Sequence, residues 1–483
     1  MRLLDHIVDT ATALHDRSYA PSRSSCFVVQ RPKAREIHAA LFADRVVHHV
    51  LEPRLEAIYE PIFIHDLYSN RKGKGTHRAV ARLSGFMRSL EGMGQGMVYA
   101  LQLDVRNFFN TIDRRILWGM IKGRLAKAVR RQTIGQEEGD ALGWLTWRLL
   151  SRHPAAEVIA HGRKSEFERV PPYKRLAAAP PGKGLPIGNL TSQFFANVYL
   201  NELDQFVKHQ LRCRHYLRYV DDFVLLHHDR DQLMIWHKAI ADFLRERLDL
   251  ELKDKGRLCP VGDGIDFLGY IVRPHYCLVR RRVVGNLREK LDALFRRMVY
   301  VDEKRATLTV RLTVPDREAL LATLASYFGH FRHANAYRLT HSLWQRYPWL
   351  RKIVTMAPSG RLRPLWQPTM VTSLRSQWRW FREQAPGEVV LMQVGKRMEA
   401  FGSDAEALVA VAGVRLDPVT RPGFTVTAGV IMSRLVEVCR RLRRAKMAYQ
   451  LVVEDGYLRG GMRRRVVREW WIPTTTIIHC SHA

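Results

Sequence analysis

Cysteine is scarce: Cys26, Cys213, Cys259, Cys277, Cys439 and Cys480 are scattered with no C-x-x-C pair. That excludes a zinc ribbon and a disulfide framework and suits a reducing compartment. Long apolar runs are missing as well. No stretch reaches the roughly eighteen uncharged apolar residues that a spanning helix needs, and Asp5 and Asp9 interrupt the amino terminus where a signal peptide would be apolar. The expectation is a cytoplasmic protein with no membrane partner. Acid is the third shortage, with 47 Asp and Glu against 78 Lys and Arg and a formal charge of +31. A compact body with that surplus meets a polyanion, and nucleic acid leads the candidates. What is present is 46% apolar residues, spread along 483 positions. This excludes a wholly disordered chain and predicts two to four folding units.

The stretch from Ala357 to Met370 (APSGRLRPLWQPTM) carries three prolines and a glycine and reads as a linker. Upstream, Leu287, Leu291, Leu294 and Phe295 fall at helical spacing, and Pro315-Asp316 opens a second helical run. Earlier pieces such as MVYALQLDV and HYLRYV are strand-like and alternate with helical ones, so the fold class is α/β, in the α+β sense. The segment from Leu125 to Pro181 is long and basic with scattered tryptophans, and its elements are not legible.

Chemistry is concentrated in three carboxylates. The apolar run Val98 to Leu103 ends in Asp104, and Phe108 and Phe109 then lead toward a helix starting near Asp113. Tyr219-Val220-Asp221-Asp222 has apolar segments on both sides, the pattern of a tight hairpin with two acids at its tip. If that hairpin pairs beside the first strand, Asp104 and Asp221 converge. Like charges so placed repel unless a divalent cation neutralises them, and hard oxygen ligands suit Mg²⁺. Two such ions could activate a primer 3′-hydroxyl and stabilise a pyrophosphate leaving group. The plainer alternative is that Asp221-Asp222 only caps a turn.

The order of motifs decides between them. RPKAREI (31–37), YSNRKGKGTH (68–77), LQLDVRNFFNTID (101–113), GLPIGNLTSQFFANVYLNELD (184–204), YVDD (219–222), LELKDK (250–255) and DFLGY (266–270) together resemble a reverse transcriptase. The resemblance implies a right-hand polymerase, with fingers and palm over 1–282, a helical thumb over 283–356, a linker over 357–372 and a small α/β domain over 373–483. It implies Asp104, Asp221 and Asp222 as the catalytic carboxylates, Asp222 supporting, and these with Val105 as the set holding two Mg²⁺ ions, for which Mn²⁺ could substitute. Phe109 matches the bulky gate that favours dNTP over NTP. Arg71, Lys72 and Lys74 match the fingers that grip the triphosphate, and Lys253 or Lys255 matches a lysine near the leaving pyrophosphate.

Ile187-Gly188-Asn189 departs from the commoner Gln-Gly pattern, and Gln193 stands where proline is usual. This variant resembles the reverse transcriptases of diversity-generating retroelements, which are related to group II intron and retron enzymes. It implies error-prone cDNA synthesis opposite template adenines from a template RNA, with template, primer, RNA–DNA hybrid and dNTPs as partners, and a small helical accessory oligomer. In this reading Gly188 lets the backbone approach the nascent base pair. A defence-associated or retron-type role, and a catalytically silent RNA-binding scaffold, stand as alternatives.

The carboxy-terminal order of strands and helices resembles the first domain of the MutS repair proteins. The resemblance rests on Gly395, Glu399 and Phe401 in GKRMEAF, Ala428 to Val430, and a closing IPTTT. It implies a nucleic-acid contact through Glu399 and through Arg397, which stands where that family has a stacking Phe. From Arg440 to Arg468 ten Lys and Arg face two acids, and Arg463, Arg464 and Arg465 are the phosphate-binding candidates.

Overall fold

The computed structural model describes residues 3–30, 33–153, 155–253, 256–357, 360–368, 371, 373–458 and 461–473. The chain divides into two units, 1–276 and 277–483, and both are mixed α/β.

The first unit is built on a four-stranded antiparallel sheet in the order Tyr216–Tyr219, Asp222–His227, Tyr99–Asp104, Arg257–Pro260. Its two central strands are apolar on both faces (ALQL and FVLL), as expected where helices cover the sheet. The helix Leu190–Gln205 has twelve buried residues, among them Phe194, Phe195, Tyr199 and Leu203. A helix buried on all sides belongs in a core, and its polar members Asn197 and Asp204 are buried with it. The helices Phe42–Tyr59, Arg114–Arg130 and Arg230–Leu248 contribute buried leucines and isoleucines to the same cluster. Asp113 starts one of them as an N-cap, its side chain accepting from the Arg115 and Ile116 amides. A second sheet pairs Ser24–Val29 with Arg35–Ala40 and, in parallel, with Val158–Ala160. The unread segment from Leu125 to Pro181 thus supplies the end of Arg114–Arg130, the helix Gln136–Ser151, an edge strand and short helical turns.

The second unit departs from the expected boundaries. Helices Arg281–Met298 and Val314–Phe331 lie where periodicity puts them, but a hairpin, Val299–Asp302 and Thr307–Arg311, stands between them. It joins a seven-stranded sheet whose other strands are Arg463–Pro473, Tyr449–Tyr457, Val389–Val394, Arg397–Phe401 and Thr427–Ile431. Thr307 lies opposite Pro473 and Arg311 opposite Glu469, where the two side chains form an ion pair at 2.7 Å. The residues assigned to the thumb and to the carboxy-terminal domain therefore share one sheet. The 357–372 boundary does not separate units: Val354–Met356 pairs with Leu362–Pro364, and Trp366 is 2% exposed with its carbonyl accepting from Val467 N at 2.8 Å. Proline and glycine here mark turns within a packed seam. Alternation gives the sheet two apolar faces: Val390, Met392 and Trp470 pack with the helices Arg281–Met298 and Val314–Phe331, while Val389, Leu391 and Trp471 pack with Ser403–Ala412 and Leu435–Arg444. No helix among the described residues is long and apolar enough to cross a membrane.

Candidate active site

Antiparallel pairing of Tyr99–Asp104 with Asp222–His227 sets Asp104 directly opposite Asp222. Opposed residues in such a ladder have Cα atoms about 4.5–5.5 Å apart with side chains on one face. Tyr219 also pairs with Asp222, so Val220 and Asp221 form a two-residue turn and Asp221 stands at its tip. Val220 has φ 56°, a left-handed conformation that β-branched residues avoid.

Burial, then the charges of Asp222 and Asp104, push the Asp221 carboxyl up to about 7. Burial and the Asp104 charge raise Asp222 to about 6, against the pull of Lys253, Lys33 and Arg35. Solvent touches Asp222, yet protein packed around it still excludes much of the surrounding water. Carboxylates driven toward the neutral form by crowding, all of them hard oxygen donors, fit a divalent cation.

Asp104 and Asp221 open into a cleft of about 750 Å³ that is also lined by Lys33, Arg35, Phe109, Ile187 and Lys253. Lys253 lies 3.5 Å from Asp104 through its ammonium, and its amide donates to the Asp104 carbonyl at 2.8 Å. Lys255 is outside the described residues. Val105 keeps its side chain in the core, 2% exposed, which leaves only its main chain for the cleft. Phe109 is half-buried, edge-on to the buried Phe108 at 5.5 Å.

Two expected roles change. Arg71 is not available to a triphosphate: its side chain is 7% exposed, forked onto Glu60 at 2.6 to 3.2 Å and donating to the Ile64 and Leu67 carbonyls. Lys74 donates to the His65 carbonyl at 2.9 Å and lies over the Tyr68 ring, while Lys72 is exposed. None of the three lines the cleft. Besides Lys253, the cations that do include Lys33 and Arg35 from the 31–37 block, and Arg106, Lys174 and Lys183. Gly188 likewise answers to the protein itself. At φ +130°, a Cβ there would sit 2.8 Å from Ile37 Cγ2 and 3.1 Å from the His38 carbonyl oxygen. The His38 amide donates to the Ile187 carbonyl at 2.7 Å, so the glycine lets this loop lie against the neighbouring strand and turn Ile187 to the cleft.

Sequence reasoning missed the layer beneath the turn. Arg218 and Asp204 are both wholly buried, and the guanidinium forks onto the carboxylate at 2.6 and 2.8 Å. Arg218 also donates to the Val220 carbonyl at 2.8 Å, while the Val220 amide donates to Ser69 Oγ at 3.0 Å. Asn197 ties the two halves together, accepting from Ser69 Oγ at 3.0 Å and donating to the Ser69 carbonyl at 2.9 Å.

In the second unit Arg397 and Glu399 are engaged internally. Arg397 pairs with Asp417 at 2.6 Å, and Glu399, 1% exposed, receives both arms of Arg421 at 2.7 and 2.9 Å. A buried, paired Glu399 is not placed to meet a base. Arg465 is also buried, on Glu454 and the Gln393 carbonyl. Arg463 lies over the Tyr457 ring, and Arg464 bonds the Asp455 carbonyl. The threonines of IPTTT lie outside the described residues.

Asp104 and Asp221 thus line a cation-bearing cleft, with Asp222 opposite Asp104 across the antiparallel ladder. A family model described as reverse transcriptase (RNA-dependent DNA polymerase) matches residues 30–272, half of the chain, and the chain belongs to that family. The mitochondrial nuclear intron maturase 1 of Arabidopsis thaliana is 26% identical over 191 residues, 36% of this chain and 26% of the maturase. Telomerase from Candida albicans, solved with a TWJ fragment of telomeric RNA, is 10% identical over 65% of this chain and 56% of that one, with a TM-score of 0.38. Apo telomerase from Candida tropicalis is 10% identical over 72% of this chain and 65% of its own, also at 0.38. The chain thus spans about a quarter of the curated relative and less than two thirds of either telomerase.

Proposed function

We propose that the chain is an RNA-directed DNA polymerase of the diversity-generating retroelement type, copying a template RNA into error-prone cDNA for mutagenic retrohoming. The observation that carries the catalytic part is the ladder pairing of Asp104 with Asp222, with Asp221 at the adjoining turn, on a cleft shared with Phe109 and Ile187. In this reading 1–276 supplies fingers and palm, and the helices of 281–350 supply a thumb. Asp104 and Asp221, with the main chain of Val105 and support from Asp222, hold divalent cations. Two Mg²⁺ ions bound there would lower the pKa of the primer 3′-hydroxyl and neutralise the departing pyrophosphate. Lys253 stands beside Asp104 to meet the same leaving charge, and Lys33 and Arg35 face the triphosphate in place of Arg71. Phe109 excludes a ribose 2′-hydroxyl. Ile187 offers no hydrogen bond to the nucleotide, and relaxed positioning is the source of misincorporation.

Template RNA, RNA–DNA hybrid and dNTPs are the partners so implied, with a helical accessory oligomer on the basic surface and a nucleic-acid contact through Arg463 and Arg464 of the second unit. Purified protein with primed RNA, dNTPs and Mg²⁺ should extend the primer, and Asp221→Ala should stop it. Misincorporation opposite template adenine should fall in Ile187→Gln. Wild-type protein that extends no primed template would overturn the reading and favour the RNA-binding scaffold. A near-identical template and variable repeat pair beside the gene supports retrohoming, and its absence supports a defence role.

A further inference from the structure

We infer that Ser69, Asn197, Asp204 and Arg218 are positioning residues: together they hold the Val220 peptide in its left-handed conformation and thereby aim Asp221. This rests on the polymerase reading above and explains why three separated stretches of sequence converge. A two-residue hairpin turn normally takes glycine or asparagine at a positive φ, and here Val220 has φ 56°. Both polar groups of its main chain are held from below, the amide by Ser69 Oγ and the carbonyl by Arg218. Each holder is itself fixed: Arg218 by the fork onto Asp204, which also accepts from Tyr216 OH at 2.7 Å, and Ser69 by Asn197. Every side chain of the set is at most 4% exposed. A planar, always-charged guanidinium can hold a carboxylate and a carbonyl at once, which an ammonium on a flexible stem cannot do with the same geometry.

The test uses the full chain. Ser69→Ala removes one hydroxyl and leaves the buried ion pair whole, and Arg218→Lys keeps the charge but loses the fork. Both should lower kcat about tenfold to a hundredfold, the cost of a small misplacement of reacting groups, while KM for dNTP stays within about twofold. Mn²⁺ affinity, read by electron paramagnetic resonance without any turnover, should weaken in parallel. A folded Ser69→Ala protein with wild-type kcat and wild-type Mn²⁺ affinity overturns the inference. If wild-type protein shows no extension, the polymerase reading falls and the Mn²⁺ titration still decides the positioning.

A separate observation assigns a second site. Cys26 and His38 lie directly opposite each other in the Ser24–Val29 and Arg35–Ala40 hairpin, with Glu36 two residues along the same face. His38 Nε2 is 3.7 Å from Cys26 Sγ and 3.5 Å from Glu36 Oε2, and Cys26 and His38 are 4% and 3% exposed. One ring nitrogen carries at most one proton, so these two contacts cannot both be hydrogen bonds it donates. The carboxylate contact is also far longer than the roughly 2.7–2.9 Å of a charge-assisted one. The two distances to Nε2 match the roughly 3.3–3.8 Å edges of a tetrahedron around a zinc-sized ion with bonds of about 2.0–2.3 Å, and all three ligand atoms lie within 4.8 Å of one another.

The geometry points to a Zn²⁺ site of Cys26, His38 and Glu36, the thiol releasing its proton to solvent as the metal binds. Thiolate and imidazole ligands set it apart from an oxygen-only Mg²⁺ site, and it would pin the hairpin that carries Arg35. Dialysis of the full chain against Zn²⁺, then metal-free buffer, should leave one equivalent by mass spectrometry. Co²⁺ should give a thiolate charge-transfer band that Cys26→Ser abolishes and Asp221→Asn preserves. Wild-type protein that retains no Zn²⁺ and shows no band, or a Cys26→Ser protein that retains as much, overturns the assignment.

Discussion

Asp221 is held in a state that a proton or a cation relieves. Its folded pKa of about 7 lies above the 3.8 of a free aspartate, so the folded chain binds this proton more tightly than the unfolded chain does. Stability from this group is therefore lost as pH rises through about 7 and recovered as pH falls toward about 4. Asp221→Asn should then stabilise the metal-free protein at pH 8 by about 1–2 kcal/mol, below the roughly 4 kcal/mol of the full shift because solvent relieves part of it. The difference should shrink as pH falls and vanish near pH 4, and excess Mg²⁺ should erase it at pH 8; thermal melts across that range are the check. Phe109→Ala should raise ribonucleotide incorporation at least about tenfold, read as the ratio of kcat/KM for NTP and dNTP. Arg71→Ala should lower the melting temperature, because it strips Glu60 and two carbonyls of a shared donor, with little effect on KM for dNTP. The opposite pattern would return Arg71 to the triphosphate.

At the scale of elements, the hairpin 216–227 and the loop 187–189 each carry a conformation their neighbours enforce. Gly188→Ala would force a Cβ against Ile37 and the His38 carbonyl at an unfavourable φ. We expect a loss of about 1–3 kcal/mol together with a higher KM for dNTP, since Ile187 moves with the loop. Unchanged KM with lowered stability would separate the glycine from the cleft. The strand ending in Asp104 and the YVDD hairpin were legible because apolar runs broken by acids can be read along the chain. The identity of the cations facing them was not: Arg71 and Arg35 are both arginines in basic blocks, and only the fork onto Glu60 distinguishes them.

For the whole molecule, the seven-stranded sheet predicts how the chain tolerates cutting. Truncation after residue 356 would strip Thr307–Arg311 of its neighbour Arg463–Pro473 and expose Leu308 and Val310, which are at most 1% exposed in the full chain. That fragment should be poorly soluble, and Trp470→Ala should destabilise the helices at 281–298 and 314–331 by about 3–5 kcal/mol in hydrogen exchange. A soluble, fully helical 277–356 fragment would contradict the shared sheet. Sequence by itself determined the charge, the mixed α/β class and the three acids, because strand period, turn chemistry and motif order are local properties of the chain. Tertiary structure alone decided that Asp104 faces Asp222 across a ladder, that Arg218 and Ser69 grip the turn from below, and that Trp366 closes a seam instead of crossing a linker. Those outcomes depend on which distant backbone groups and apolar faces become neighbours, and neighbourhood is set by burial and pairing across the fold, for which linear spacing carries no signal.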